Sequence, residues 1–136
     1  MSYSDLDRLD ERLTRELCEL YRHEWWTEGR SLEDVRRMAE GDSIVFAVRH
    51  DPSGELAAFA RVLTDGVYKA LIFDVIVAPA HRRSGLGERL ARRIASHPRL
   101  AGVRHHELYC LPELVPYYER LGFTSEVGGI VLMRRG

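Results

Sequence analysis

The chain is poor in cysteine: Cys18 and Cys110 are its only two among 136 residues, and they lie far apart in sequence. Two distant thiols build no disulfide framework, so a reducing, cytoplasmic setting is expected. No apolar run approaches the roughly 20 residues that span a bilayer. The first ten residues are polar and acidic, which is wrong for a signal peptide, and no membrane partner is expected. Net charge is -1, so the chain has no global cation excess for a polyanion, and no nucleic-acid partner is expected. No cluster has metal-ligand spacing. His105 and His106 are adjacent on a strand and so point to opposite faces, and no metal site is expected. Repeats, low-complexity tracts and linkers are absent, which leaves one domain over residues 1–136 as the expectation.

What is present is an ordinary globular balance of 45% hydrophobic and 30% charged residues. The charge is unevenly distributed. Residues 1–42 carry twelve acids against seven arginines, whereas residues 80–104 carry seven arginines against the single acid Glu88. The acidic half reads as solvated helix faces, with a weak hint of a cationic acceptor. The basic stretch reads as an anion site, because it coincides with a glycine loop.

Periodicity places the elements. Leu6, Leu9, Leu13, Leu17 and Leu20 fall at intervals of three and four, one helical stripe. Tyr21–Arg30 breaks it. Ser31 predicts an N-cap with Asp34 three residues on, for a helix to about Ala39 that Gly41 ends. Ser43–Arg49 and Glu55–Leu63 predict a hairpin around Asp51-Pro52-Ser53-Gly54. Tyr68–Val77 predicts a strand buried on both faces. A helix over Gly85–Ser96, a strand over Val103–Cys110 and a helix over Glu113–Leu121 follow. A closing hairpin of Phe123–Glu126 and Ile130–Arg134 ends the chain. The order predicts a mixed α/β sheet with helices on its faces.

Chemistry is concentrated where the third strand ends. Asp74-Val75-Ile76-Val77-Ala78-Pro79-Ala80-His81 leads into Arg82-Arg83-Ser84-Gly85-Leu86-Gly87, and a helix begins there. A helix N-terminus offers unpaired N–H groups and partial positive charge, and glycines admit a phosphate closely. The arginines add cation. The Gly-Lys-Ser/Thr ending of a Walker loop is missing, and so is the Gly-x-Gly-x-x-Gly of a dinucleotide fold.

Arg82-x-x-Gly85-x-Gly87, preceded by Val75-x-Val77-x-Pro79, resembles the acetyl-CoA motif of the GNAT superfamily of acyl-CoA-dependent N-acyltransferases. Pro116-Tyr117-Tyr118-Glu119-Arg120-Leu121-Gly122-Phe123 resembles its second signature, and together the motifs cover Ser43–Arg134. Residues 25–31 and 60–65 resemble segments of small stand-alone bacterial members.

The resemblance implies a mixed, mostly antiparallel sheet flanked by helices, with acetyl-CoA as co-substrate and the primary amine of a small molecule or peptide as acceptor. It also admits a homodimer. The backbone of Val75, Ile76 and Val77 would bind the pantetheine arm like an added strand. Amides of Arg83, Ser84, Gly85, Leu86 and Gly87, extending to Glu88, would bind the pyrophosphate, and Arg82 takes the motif's first polar position. Tyr118 would protonate the departing thiolate.

Asp74, the one carboxylate in the core of its strand, is either the general base or a structural hydrogen-bonding residue. Trp25 and Trp26 either line the acceptor pocket or pack. Tyr117 reads as core, His81 as flanking the loop from solvent, and Cys110 as a buried inert thiol. Two departures stand out. Leu71 and Phe73 occupy the part of the strand where many members carry a glutamate, which leaves water-mediated deprotonation open. Leu111-Pro112-Glu113 stands where many carry a cofactor-touching asparagine. The alternative function is a non-catalytic acyl-CoA sensor or regulatory module.

Overall fold

The computed structural model describes residues 2–136; Met1 lies outside the described residues. A five-stranded sheet runs in chain order β1-β2-β3-β4-β5. Its strands are β1 (Tyr3–Leu6), β2 (Ile44–His50), β3 (Glu55–Thr64), β4 (Lys69–Val77) and β5 (His105–Leu108). The first four are antiparallel neighbours, and β5 joins β4 in parallel. Helices α1 (Glu11–Arg22) and α2 (Leu32–Glu40) cover one face, α3 (Leu86–Ser96) covers the other, and α4 (Val115–Arg120) follows β5. Among the described residues no helix is long and apolar enough to cross a membrane.

The sheet carries a core on each side. Toward α3, Phe46, Val48, Ala58 and Ile72 pack with Leu86, Leu90 and Ile94. Toward α1 and α2, Leu13, Leu17 and Tyr21 pack with Val45, Phe59, Ile76 and Val35. β4 alternates buried with half-buried positions, where a strand buried on both faces was expected.

The leucine stripe starts too early as a helix. Leu6 pairs with Ala47 in β1, and α1 begins only at Glu11, because the Asp10 side chain accepts a hydrogen bond from the Leu13 N–H at 2.8 Å. The Ser31 cap forms as its sequence predicts, accepting from the Asp34 N–H at 3.1 Å. The closing hairpin is absent: among the described residues no strand follows Leu108, and Ile130–Met133 is exposed.

Part of the basic stretch is structural. Arg93 donates to the carbonyls of Ala47 and Leu6 at 2.8 Å each, and Arg89 Nε donates to Asp5 at 2.8 Å. These two arginines tie α3 to the β1 edge. The expected anion site is thereby narrowed to the loop that precedes the helix.

Candidate active site

β4 is irregular where the chemistry was expected. Phe59 pairs with Ile76 and Arg61 with Phe73, so Asp74 and Val75 stand opposite Ala60 alone. This is a β-bulge, and Asp74 takes up the extra residue with φ 57°, a left-handed conformation that aspartate tolerates better than most. β5 pairs only with Lys69 to Ile72. Beyond Ile72, among the described residues, no strand occupies that edge of β4. The backbone of Val75, Ile76 and Val77 therefore borders an open slot. Val75 and Val77 pack toward the α3 core and Ile76 toward the α1 core.

The slot leads to the start of α3. Pro79–His81 forms a 3-10 turn, Arg83 and Gly85 take φ 67° and 73°, and Gly85 caps α3. The first helical bond runs from the Arg89 N–H to the Gly85 carbonyl at 3.0 Å. The N–H groups of Leu86, Gly87 and Glu88 are thus left for an outside acceptor. They border a cavity of about 200 Å³ closed by Val77, Arg82, Arg83 and Tyr117. A Cβ at Gly85 would meet nothing within 4 Å, whereas one at Gly87 would collide with the Tyr117 hydroxyl. The residues present fit a pyrophosphate: free amides, cationic flanks and a backbone that only glycine brings this close. Arg82 is partly committed, donating from Nε to the Val77 carbonyl at 3.1 Å and from Nη2 to Glu24 at 3.4 Å.

Tyr117 and Tyr118 arrive on α4. Their rings meet edge to face at 5.1 Å between centroids, and Tyr118 also meets Phe123 at 6.0 Å. Tyr118 is half-buried. Burial first, then the neighbouring Tyr117 and Cys110, pushes its phenol up to about 12. It therefore holds its proton across the physiological range. Tyr117 is half-buried and touches the loop as well as its neighbour, which makes it part of the cavity wall in addition to a packing residue.

Asp74 is buried, at 8% exposure, within a charged cluster. Its carboxylate accepts from Arg61 Nε at 2.7 Å, Arg30 Nη1 at 2.8 Å and the Tyr21 hydroxyl at 3.0 Å. Burial alone would raise its pKa. The hydrogen bonds and charges of Arg30 and Arg61 outweigh burial and hold it below its ordinary value. The result is a firmly ionised carboxylate, poorly suited to taking a proton at neutral pH.

Arg30, Arg61 and Tyr21 were not picked out as site residues from the sequence. One signal was available: Arg61 is a charge between the buried positions Ala60 and Val62 of a strand. The segment from Glu24 to Arg30 bridges the loop, through Arg82, and this cluster, through Asp74. Trp25 and Trp26 lie on that bridge, 69% and 41% exposed, and are not core residues.

Three further placements depart from expectation. His81 is buried, and its Nδ1 hydrogen-bonds the Tyr3 hydroxyl at 3.0 Å. Its position under β1 keeps it from flanking the loop in solvent. Cys110 is exposed, where a buried thiol was expected. β5 ends at Leu108, two residues short of Cys110. Among the described residues no group of three or more His, Cys, Asp or Glu is placed to hold a metal ion.

The open edge of β4 beyond β5, the bulge and the N-terminus of α3 lie together at one end of the sheet. The chain belongs to the Acetyltransferase (GNAT) family, whose sequence model matches residues 6–123. It is similar to "Serotonin N-acetyltransferase 2, chloroplastic" of Oryza sativa subsp. japonica, 35% identical over 103 residues, covering 74% of this chain and 52% of the relative. It is also similar to "Glucosamine 6-phosphate N-acetyltransferase 1" of the same species, 33% identical over 91 residues, 62% of this chain and 55% of the relative. The chain thus spans about half the length of these curated relatives. Among solved structures, a GNAT-family protein from Xanthomonas campestris pv. campestris superposes with a TM-score of 0.83 at 29% identity, covering 100% of this chain and 94% of that one. Glucosamine-6-phosphate N-acetyltransferase from Arabidopsis thaliana shares the fold, with a TM-score of 0.78 at 19% identity over 100% and 99% of the two chains.

Proposed function

We propose that the protein moves the acetyl group of acetyl-CoA directly to the primary amine of a small molecule or peptide. The observation that carries this reading is the contact of Tyr117 with Gly87. It seats α4, and with it Tyr118, against the first turn of α3, whose free amides fit a pyrophosphate.

The thioester supplies an activated acetyl group; the chain's own residues do the rest. The Val75–Val77 edge holds the pantetheine arm by backbone hydrogen bonds. Leu86, Gly87 and Glu88 amides, with Arg83, Ser84 and Gly85 of the loop, hold the diphosphate. A backbone N–H of β4 would polarise the thioester carbonyl as charge develops on its oxygen. The amine lone pair forms the new C–N bond while the C–S bond breaks, and Tyr118 gives its proton to the departing sulfur. The ammonium proton leaves through water, because the guanidiniums of Arg30 and Arg61 hold the Asp74 carboxylate at too low a pKa to take it. Asp74 acts in this scheme by orienting Arg30 and Arg61. Trp25 and Trp26 border the acceptor side.

The test is release of free CoA thiol across polyamines, amino acids, aminoglycosides, arylalkylamines and lysine peptides. At least one class should turn over. Tight acetyl-CoA binding with no turnover in any class would replace the transferase reading with that of an acyl-CoA sensor.

A further inference from the structure

We infer that the acceptor carries an anionic group, a carboxylate or a phosphate monoester, beside its amine, and that Arg61 receives it. This rests on the acetyl-transfer reading above and narrows its substrate class. The α1/α2 face of the sheet is left open toward β5. Arg61 and Phe73 are cross-strand partners there, and so are Leu63 and Leu71. Lys69 and Leu71, on the same face, help line an open cavity of about 770 Å³. Tyr109 closes the upper end against Phe73, with ring centroids 6.0 Å apart.

Arg61 sits at the head of this face with its side chain only 15% exposed and its guanidinium 4.8 Å above the Phe73 ring. It uses one donor, Nε, on Asp74. Among the described residues its two terminal nitrogens have no protein partner, yet they are not sealed from solvent. Arg30 satisfies the same carboxylate through both of its terminal nitrogens, at 2.8 and 3.3 Å. Two fixed cations thus meet one carboxylate. Glu107 is committed to Lys69 at 2.7 Å and Glu24 to Arg82 at 3.4 Å, while Asp42 and Asp65 lie at the Lys69 end of the cavity, Asp65 accepting from the backbone of Val67 and Tyr68.

A planar fork held still by Asp74 and a ring face, with two donors free of protein partners, matches the paired oxygens of a carboxylate or phosphate. At this guanidinium the field favours an anion, unlike the cationic acceptor that the acidic N-terminal half suggested. Asp74 cancels one guanidinium and leaves the other for the ligand.

The experiment compares matched acceptors that differ only in the anion: an aromatic amino acid against its decarboxylated amine, and an amino-sugar phosphate against the free amino sugar. With acetyl-CoA saturating, the parent should favour the charged member of a pair in kcat/KM by about tenfold or more, and added salt should erode the preference. The carboxylate and phosphate arms tell the two anions apart. Arg61→Gln, checked for folding by its thermal transition and for acetyl-CoA affinity, should bring the charged-to-neutral ratio close to one. A purely structural arginine would lower both members together and leave the ratio unchanged, which would overturn the inference. So would a parent that favours the neutral members. If no amine is acetylated, the transfer reading fails. The anion inference is then decided by calorimetry on the acetyl-CoA-saturated parent, where charged members should bind and neutral ones should not; the reverse would sink it.

Discussion

Gly87 and Tyr117 form one unit, because the hydroxyl occupies the space a methyl group would need. Gly87→Ala should push the Tyr117 ring into the 200 Å³ cavity and weaken acetyl-CoA binding by about tenfold, or ~1.4 kcal/mol. Tyr117→Phe in the same chain should restore most of the affinity, since only the hydroxyl collides; isothermal titration of the four combinations checks this. Asp74→Asn should destabilise the fold by about 2–3 kcal/mol at neutral pH, because it leaves two partly buried guanidiniums without their counter-charge. The sign with pH follows from the depressed pKa. The Asp74 contribution is present above its unfolded value of 3.8 and is lost as pH falls through the lower folded value. Urea unfolding of parent and variant should therefore show a gap at about pH 7 that narrows toward about pH 3. The sequence marks Asp74 as odd, a carboxylate in an apolar strand. It does not tie Tyr21, Arg30 and Arg61 to it, because they reach it from α1, from the loop before α2 and from β3 with no fixed spacing.

The reading of elements succeeded where a local signal and the tertiary need agreed. Ser31 caps α2, and glycine spacing with a preceding valine strand located the start of α3. It failed at the N-terminus because Leu6 and Leu9 continue the α1 stripe by period, while only pairing with β2 makes Tyr3–Leu6 a strand. It failed again at Ile130–Arg134, whose composition suits a strand but which finds no partner among the described residues. Asp10 was the available clue to the true helix start. Asp10→Ala should cost about 1 kcal/mol in denaturant unfolding, as loss of one N-cap does. An unchanged midpoint would mean the Asp10–Leu13 bond contributes nothing.

For the molecule as a whole, two unlike halves meet at the open edge of β4 beyond β5. α3 and its loop carry cation and free amides, the proposed cofactor side, and the α1/α2 face carries Arg61 over the Phe73 ring with Tyr109 beside it, the proposed acceptor side. Tyr118, the proposed acid, packs beside Tyr117 with its phenol pushed up to about 12. The rate of transfer should rise with pH as the acceptor amine loses its proton, with no downturn from this acid before about pH 11. Tyr118→Phe should lower kcat by about 100-fold while changing acetyl-CoA affinity little; equal rates would remove its role as acid. The measurement that tests the central claim most directly is calorimetric titration of acetyl-CoA into the parent and into Gly85→Glu. That substitution sets bulk, negative charge and an unfavourable φ of 73° against the free amides of α3. The parent should bind with one site per chain and the folded variant should show no binding. Undiminished affinity in the variant would place the cofactor elsewhere and contradict the account.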